Sequence, residues 1–261
     1  MFCLIPLFSG SSGNAAYIGT KNEGILIDAG LPAVKICKAL NSSGISPTAL
    51  RGVLLTHSHS DHVRGLGSLL KKLPIPVFAA SQTLDFIRCA KLLPTEHPAR
   101  EVSGPFSLLN MEITPFETPH DAVPTLGFCF RLQDRTVGYA TDLGTVTQTV
   151  REHLLGCDLV MIESNYEPAL LSASPYPYIL KRRIASSTGH LSNSDCADFI
   201  CELAQSGTGR FVLAHLSRQN NSPDIARQTA ESALQRLGLQ SDRDYMLDVA
   251  EAFAPIRPVM F

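Results

Sequence analysis

Three histidines and an aspartate fall within the six residues His57-Ser58-His59-Ser60-Asp61-His62. Neutral imidazole and carboxylate are the usual ligands of zinc and similar divalent ions, and no folding rule asks for that density of imidazole. The preceding Gly52-Val53-Leu54-Leu55 is a short apolar run that reads as a buried strand. His57 and His59 are two positions apart, so in extended backbone their side chains leave on the same side. Asp61 and His62 come as the chain turns away and can aim at a second point. The spacing predicts a metal site with two centres at the C-terminal end of a strand.

The same pattern of an apolar run ending in a polar residue recurs at Asp28, His120, Asp142, Glu163 and His215. A two-metal site needs about seven ligands and an open, water-bearing position. His57, His59 and His120 can form one centre; Asp61, His62 and His215 can form the other. Asp142 can place one oxygen on each ion. Two ions roughly 3.5–4 Å apart can hold a hydroxide between them, nucleophilic at neutral pH. The blander readings are polar strand ends at His120 and His215, and Asp142 as N-cap of a helix starting near Val146.

These residues must be carried by a strand-rich first part and a mixed second part. Phe2–Leu7, Ala15–Gly19, Gly24–Ile27, Pro76–Ala80, Met111–Phe116, Leu126–Leu132, Thr136–Ala140, Asp158–Ile162, Phe211–Ala214 and Tyr245–Val249 read as strands. Helices are expected over Pro32–Leu40, Leu66–Leu73, Ser81 (as N-cap) to about Leu92, Val146–Leu154, Ser194–Ala204 and Asp224–Leu237. The stretch 93–106 reads as irregular, and 166–184 as mixed, broken at Pro175-Tyr176-Pro177-Tyr178. No low-complexity linker divides the chain. One domain over residues 1–261, with two sheets and outer helices, fits this order better than a single doubly wound sheet.

The chain has 261 residues, 44% hydrophobic and 18% charged, with a formal net charge of −2. That supports a substantial core and excludes a globally basic nucleic-acid binder, while leaving room for a local basic patch. Seven cysteines include no Cys-x-x-Cys pair and sit mostly in apolar runs, as expected of reduced core or helix residues. The polar Ser9-Gly10-Ser11-Ser12-Gly13 interrupts the apolar N-terminus, and no run approaches a membrane-spanning length. A cytoplasmic protein without a membrane span is expected.

The arrangement resembles the metallo-β-lactamase fold superfamily, whose His-x-His-x-Asp-His signature stands intact at 57–62. Asp28-Ala29-Gly30, His120, Asp142 and His215 match its other motifs in order and rough spacing. The resemblance implies a four-layer αββα sandwich and makes Asp28 a support for the site loops that binds no metal. Within the superfamily, Gly189-His190-Leu191-Ser192 and Leu213-Ala214-His215-Leu216-Ser217 resemble the phosphodiesterase branch, in which His190 would protonate the leaving oxygen. The opening Ser-Gly-Ser-Ser-Gly-Asn, with Gly-His-Leu-Ser-Asn and His-Leu-Ser-x-x-Asn-Asn, looks most like the YycJ (WalJ) group, small bacterial enzymes of DNA processing.

Departures narrow the field. Only 47 residues (143–189) separate Asp142 from His190, too few for the β-CASP domain of RNase J-type nucleases. No long Gly/Pro-rich arm of the RNase Z kind is visible, and His59 stands where the flavodiiron branch has glutamate.

The resulting expectation is a hydrolase with two divalent ions, Zn²⁺ ahead of Mn²⁺, acting as a phosphodiesterase or nuclease. The substrate is DNA rather than RNA, with exonuclease action among the modes. Asp61, Asp142 and His190 take part in catalysis. For substrate, Ser11, Ser12 and Asn14 offer a phosphate-cradling loop, though a plain turn serves the sequence as well; Arg218, Asn220 and Asn221 follow His215. The rivals are a hydrolase of small esters, lactones or cyclic phosphodiesters, and a non-catalytic nucleic-acid-binding relative. Oligomeric state is left open.

Overall fold

The computed structural model describes residues 2–122 and 124–261. The chain packs as two compact units, Met1–Asn110 with Ala122–Leu126 and Ala250–Phe261, and Met111–Asp121 with Gly127–Val249.

In the first unit the sheet runs β1 (Cys3–Phe8), β2 (Ala15–Gly19), β3 (Gly24–Ile27), β4 (Leu50–Leu54), β5 (Val77–Ala79) and β6 (Ala99–Glu101), and the C-terminal strand Val259–Met260 pairs outside β1. The first three strands are antiparallel; β3 to β6 are parallel. Every residue of β1, β2 and β3 is buried, as uninterrupted apolar runs in a covered sheet require. Helices α1 (Ala33–Ser42), α2 (Ser60–Val63), α3 (Leu66–Lys72) and α4 (Ser81–Cys89) complete the unit. The buried residues of α1 are Ala33, Ile36, Cys37, Ala39 and Leu40, the i, i+3, i+4 stripe of an amphipathic helix. The register sets Ile27 against Leu54, so Asp28 and the loop after β4 leave the sheet at one edge.

The strand β7 (Phe106–Leu108) turns through Leu109-Asn110, both at positive φ. That pairing of signs is the signature of a hairpin turn whose twist matches its strands. The chain then enters β8 (Met111–Thr118). The second unit orders its strands β13-β12-β11-β10-β9-β8, where β9 is Thr125–Leu132, β10 Arg135–Ala140, β11 Leu159–Glu163, β12 Arg210–Ala214 and β13 Met246–Val249. From β10 to β13 the pairing is parallel. Ala140 stands opposite Ile162, and Glu163 opposite Ala214. Glu163 and the loops carrying Asp142 and His215 therefore meet at the C-terminal edge, where open parallel sheets place ligands. Its helices are α5 (Gln148–Leu154), α6 (Pro168–Ala173), α7 (Tyr178–Ile184), α8 (Asn193–Gln205) and α9 (Pro223–Arg236). Ser192 and Ser222 cap α8 and α9 by accepting from the N–H of Asp195 and Ile225.

Three local expectations change. Ser81 is the first residue of α4 and does not cap it; its hydroxyl donates to Gln82, and the helix stops at Cys89, before Lys91 turns to a φ of 57°. Residues 93–106 include β6, three residues long and too short to show a period. Thr147, not Asp142, caps α5, accepting from Val150 N–H. The seven cysteines are all free thiols. No helix of the described residues is long and apolar enough to cross a membrane.

Candidate metal centre

In the first unit, the site begins with Asp28, fully buried and at a φ of 62°. Left-handed backbone is costly for a residue with a Cβ, and here it turns the carboxylate into the loop after β4. Asp28 Oδ1 accepts from Thr56 N–H at 2.8 Å, and Oδ2 from the Thr56 hydroxyl at 2.9 Å. Oδ2 also lies 2.8 Å from His62 Nδ1. An ionised carboxylate can only accept, so the proton sits on His62 Nδ1 and the lone pair on Nε2. The Thr56 hydroxyl has spent its proton on Asp28. It therefore accepts from His57 Nδ1, 3.0 Å away, and His57 too keeps its lone pair on Nε2. The His57 ring centroid lies 4.7 Å from that of His59 and 4.1 Å from that of His62. Asp61 is partly buried, its Oδ2 3.6 Å from His62 Nε2.

Backbone holds this loop tightly. Asn14 N–H donates to Asp61 O, Ala29 N–H to His62 O and Gly65 N–H to Ala29 O, all at 2.8 Å. A Cβ on Gly30 would stand 1.7 Å from Asp61 O and 2.6 Å from Asn14 N. Both obstacles are backbone and cannot swing away. Gly30→Ala is expected to destabilise the fold by about 1–3 kcal/mol or more through overpacking, read as a lowered thermal midpoint with loss of bound metal.

In the second unit, Asp142 and His215 repeat the left-handed backbone of Asp28, at φ of 59° and 55°. His120, just past β8, places Nδ1 2.9 Å from Gly189 O; a carbonyl only accepts, so Nδ1 carries the proton and Nε2 the lone pair. His120 Nε2 is 3.7 Å from Asp142 Oδ1, and His215 Nδ1 is 3.4 Å from the same oxygen. Glu163, fully buried at the end of β11, joins the remaining groups. Its Oε1 lies 2.7 Å from His215 Nδ1 and 2.8 Å from His190 Nδ1. Its Oε2 accepts from Leu143 N–H at 2.9 Å and Leu191 N–H at 3.3 Å. Burial alone would raise the Glu163 pKa. The His190 and His215 imidazoles and the hydrogen bonds outweigh it and hold the carboxyl well below its usual range. For His190 the balance is reciprocal: burial works against the imidazolium, and the Glu163 carboxylate more than offsets it, so the pKa is raised. Asp142, Glu163, His190 and His215 each offer an atom within 4.8 Å of the others.

Glu163 was visible in the sequence only as one more polar strand end. Its contact with two imidazoles, 27 and 52 residues downstream, gives it a role: it orients both rings. Glu163→Gln replaces an all-acceptor group by an amide whose NH₂ must face two donors whichever way it turns. A loss of roughly 10–100-fold in metal affinity or activity is expected, the usual effect of removing a partner that orients metal-binding histidines. Metal content after gel filtration checks it.

The residues expected at substrate divide. Ser11 is exposed, Ser12 partly buried and Arg218 exposed. Asn14 is buried instead, donating from Nδ2 to His62 Nε2 at 2.9 Å and accepting from Gly10 N–H at 2.8 Å. Asn220 is fully buried, its carbonyl accepting from Glu167 N–H. Asn221 forms a reciprocal amide pair with Asn193 at 2.8 and 3.0 Å, and donates to the carbonyls of Ser164 and Asn165. Asn14 is a support of the histidine loop, and Asn221 ties the segment after His190 to the segment after His215. Asn165 adds a further support, donating to His215 O at 2.7 Å.

The donor set suits divalent metal. Four imidazoles, His57, His62, His120 and His215, have Nδ1 engaged by a protein oxygen, the arrangement by which proteins present Nε2 to a cation.

A hydrolase class follows from fold and site together, and comparison defines it further. The Beta-lactamase superfamily domain model matches residues 24–216, and the chain belongs to that superfamily. It is 32% identical over 234 residues to exodeoxyribonuclease YycJ of Bacillus anthracis, covering 89% of each chain. It is 32% identical over 243 residues to exodeoxyribonuclease WalJ of Streptococcus pneumoniae serotype 2 (strain D39 / NCTC 7466), covering 92% of this chain and 90% of that one. Among solved structures, the metallo-β-lactamase fold protein YhfI from Bacillus subtilis is similar at a TM-score of 0.72 and 17% identity, over 98% of this chain and 99% of that one. Zn²⁺-bound PqqB from Methylobacterium extorquens is similar at 0.71 and 16%, with the same coverage. The expected α/β sandwich class is the fold found. The likeness to YycJ and WalJ seen in short motifs extends along most of the chain. The protein is a metal-dependent hydrolase of this fold.

Proposed function

We propose that the chain, acting as one hydrolase domain over residues 1–261, is a DNA-directed phosphodiesterase of the cytoplasm, working as an exonuclease. In this reading His57, His59, Asp61, His62, His120, Asp142 and His215 are the ligands of two divalent ions, zinc first and manganese second. The observation that carries it is His190 on Glu163, 2.8 Å apart, in a chain whose relatives over about nine-tenths of its length are named exodeoxyribonucleases. The ions, when bound, supply a nucleophile from water and neutralise phosphate charge. The protein's own residues do the rest. Asp28 and Thr56 orient His62 and His57; Glu163 orients His215. Glu163 also holds His190 by Nδ1 and favours its protonated form, the imidazolium whose Nε2–H protonates the departing alkoxide and leaves the ring neutral. A sugar alkoxide is a poor leaving group, so a positioned general acid is worth most in this chemistry.

The test is hydrolysis of end-labelled single- and double-stranded DNA and RNA, of bis(p-nitrophenyl) phosphate, and of an ester and lactone panel. It is paired with metal analysis of the purified protein. DNA shortening from an end, lost on chelation and restored by Zn²⁺ or Mn²⁺, is expected. Turnover of esters or lactones with no phosphodiester cleavage would overturn the reading. So would duplex binding without turnover under every ion tried.

A further inference from the structure

The first unit has a cavity of about 560 Å³ between α1 and the segment 252–255, within the roughly 300–1,000 Å³ typical of small-ligand sites. Its lining joins apolar surface, including Phe8 and Phe253, to three cations, Lys35, Lys38 and Arg64, and it includes no acidic residue. In a chain of net charge −2, that is a local basic patch. Lys35 and Lys38 are exposed and three residues apart on α1, and so share a face of the helix. Phe253 is 63% exposed, a large ring presented to solvent at the cavity wall. Arg64 follows His62 by two residues. It donates to Gly30 O at 2.9 Å and to Ser12 O, anchoring one end of the groove to the loop that carries the histidine cluster.

We propose that this groove is a binding track for single-stranded nucleic acid, with backbone phosphates on Lys35, Lys38 and Arg64 and a base stacked on Phe253. A purely apolar ligand has no use for three cations, and a simple anion has no use for a phenyl ring. A nucleotide strand uses both, since strand-binding sites combine a basic groove with aromatic stacking platforms. Ser12, one of the residues expected at phosphate, lines the same groove. The inference rests on the nuclease reading and adds where the strand runs beside the reacting end.

The experiment measures binding of a fluorescein-labelled, phosphorothioate oligo-dT to the metal-loaded enzyme by anisotropy across a salt series, with Lys35→Ala/Lys38→Ala and Phe253→Ala as variants. All three positions are solvent-facing, and thermal melts confirm folding. Each phosphate contact on a single strand contributes about 0.7 to the slope of log K against log salt. The double lysine variant should therefore lose about 1.4 of that slope. Phe253→Ala should bind about tenfold more weakly, as expected for loss of one stacked base. The ratio of kcat/KM on DNA to that on bis(p-nitrophenyl) phosphate should fall in both variants, through KM. Wild-type affinity and slope in both variants would overturn the groove. If the wild type still shortens DNA in that case, the nuclease reading stands without it. If the wild type cleaves no DNA, the nuclease reading fails. A loss of oligo-dT binding confined to the variants would then still support the groove as a strand site.

Discussion

Asp142→Asn is expected to leave a folded protein with depleted metal and turnover of bis(p-nitrophenyl) phosphate down by about 10³-fold or more. The folding half of the prediction comes from shape. Asparagine is isosteric with aspartate and, like it, tolerates the left-handed backbone that position 142 adopts at a φ of 59°. The functional half comes from charge. Asp142 is 2% exposed, with Oδ1 3.4 Å from His215 Nδ1 and 3.7 Å from His120 Nε2. A carboxylate has two anionic oxygens to offer two ions; an amide has one neutral oxygen. Metal charge stabilisation is worth several kcal/mol in the transition state, and each 1.36 kcal/mol is tenfold in rate. Elemental analysis and turnover of the same preparation check both halves. A variant with full metal and full activity would remove Asp142 from the ligand set.

His190→Ala has the opposite signature: metal retained, kcat reduced by about 10²–10⁴-fold, the range for loss of a general acid. His190 is the more open of the two imidazoles on Glu163, its side chain 20% exposed against 3% for His215. That suits a group that must meet substrate. Removing it leaves Glu163 Oε1 with His215 Nδ1 still 2.7 Å away, so the orientation of His215 survives. The leaving group supplies an internal control. Nitrophenolate departs without help, so bis(p-nitrophenyl) phosphate should suffer less than DNA. Equal losses on both substrates would overturn the role of His190 as proton donor, and loss of metal would make it a ligand.

The sites of chemistry were readable because their signals are local. His57 through His62 lie within six residues, and the strands that lead to Asp28, Asp142, Glu163 and His215 are apolar runs that stop abruptly at a polar residue. What those strands have in common is a register, Ile27 against Leu54 in one sheet and Glu163 against Ala214 in the other. Register is a long-range property that each run by itself does not display. Short elements escape for a related reason: α2 spans Ser60–Val63 and β6 Ala99–Glu101, little more than one period each, so no pattern repeats.

Three asparagines show the limit most clearly. Asn14, Asn220 and Asn221 have the composition of a phosphate-binding surface, yet all three are buried. A side-chain amide satisfies a loop backbone as readily as it does a phosphate, and only the fold says which is in reach. Residue types, their order and the apolar runs before them are local features, and they suffice for the superfamily and a divalent-metal hydrolase. Folding then sets which nitrogen of His62, His120 and His215 holds its proton, because Asp28, Gly189 and Glu163 reach those rings from 34 to 69 residues away. It also decided that Glu163 is shared by two histidines and that α1 and the C-terminal segment enclose a basic groove. Each depends on contacts between residues distant in sequence, which no spacing along the chain encodes.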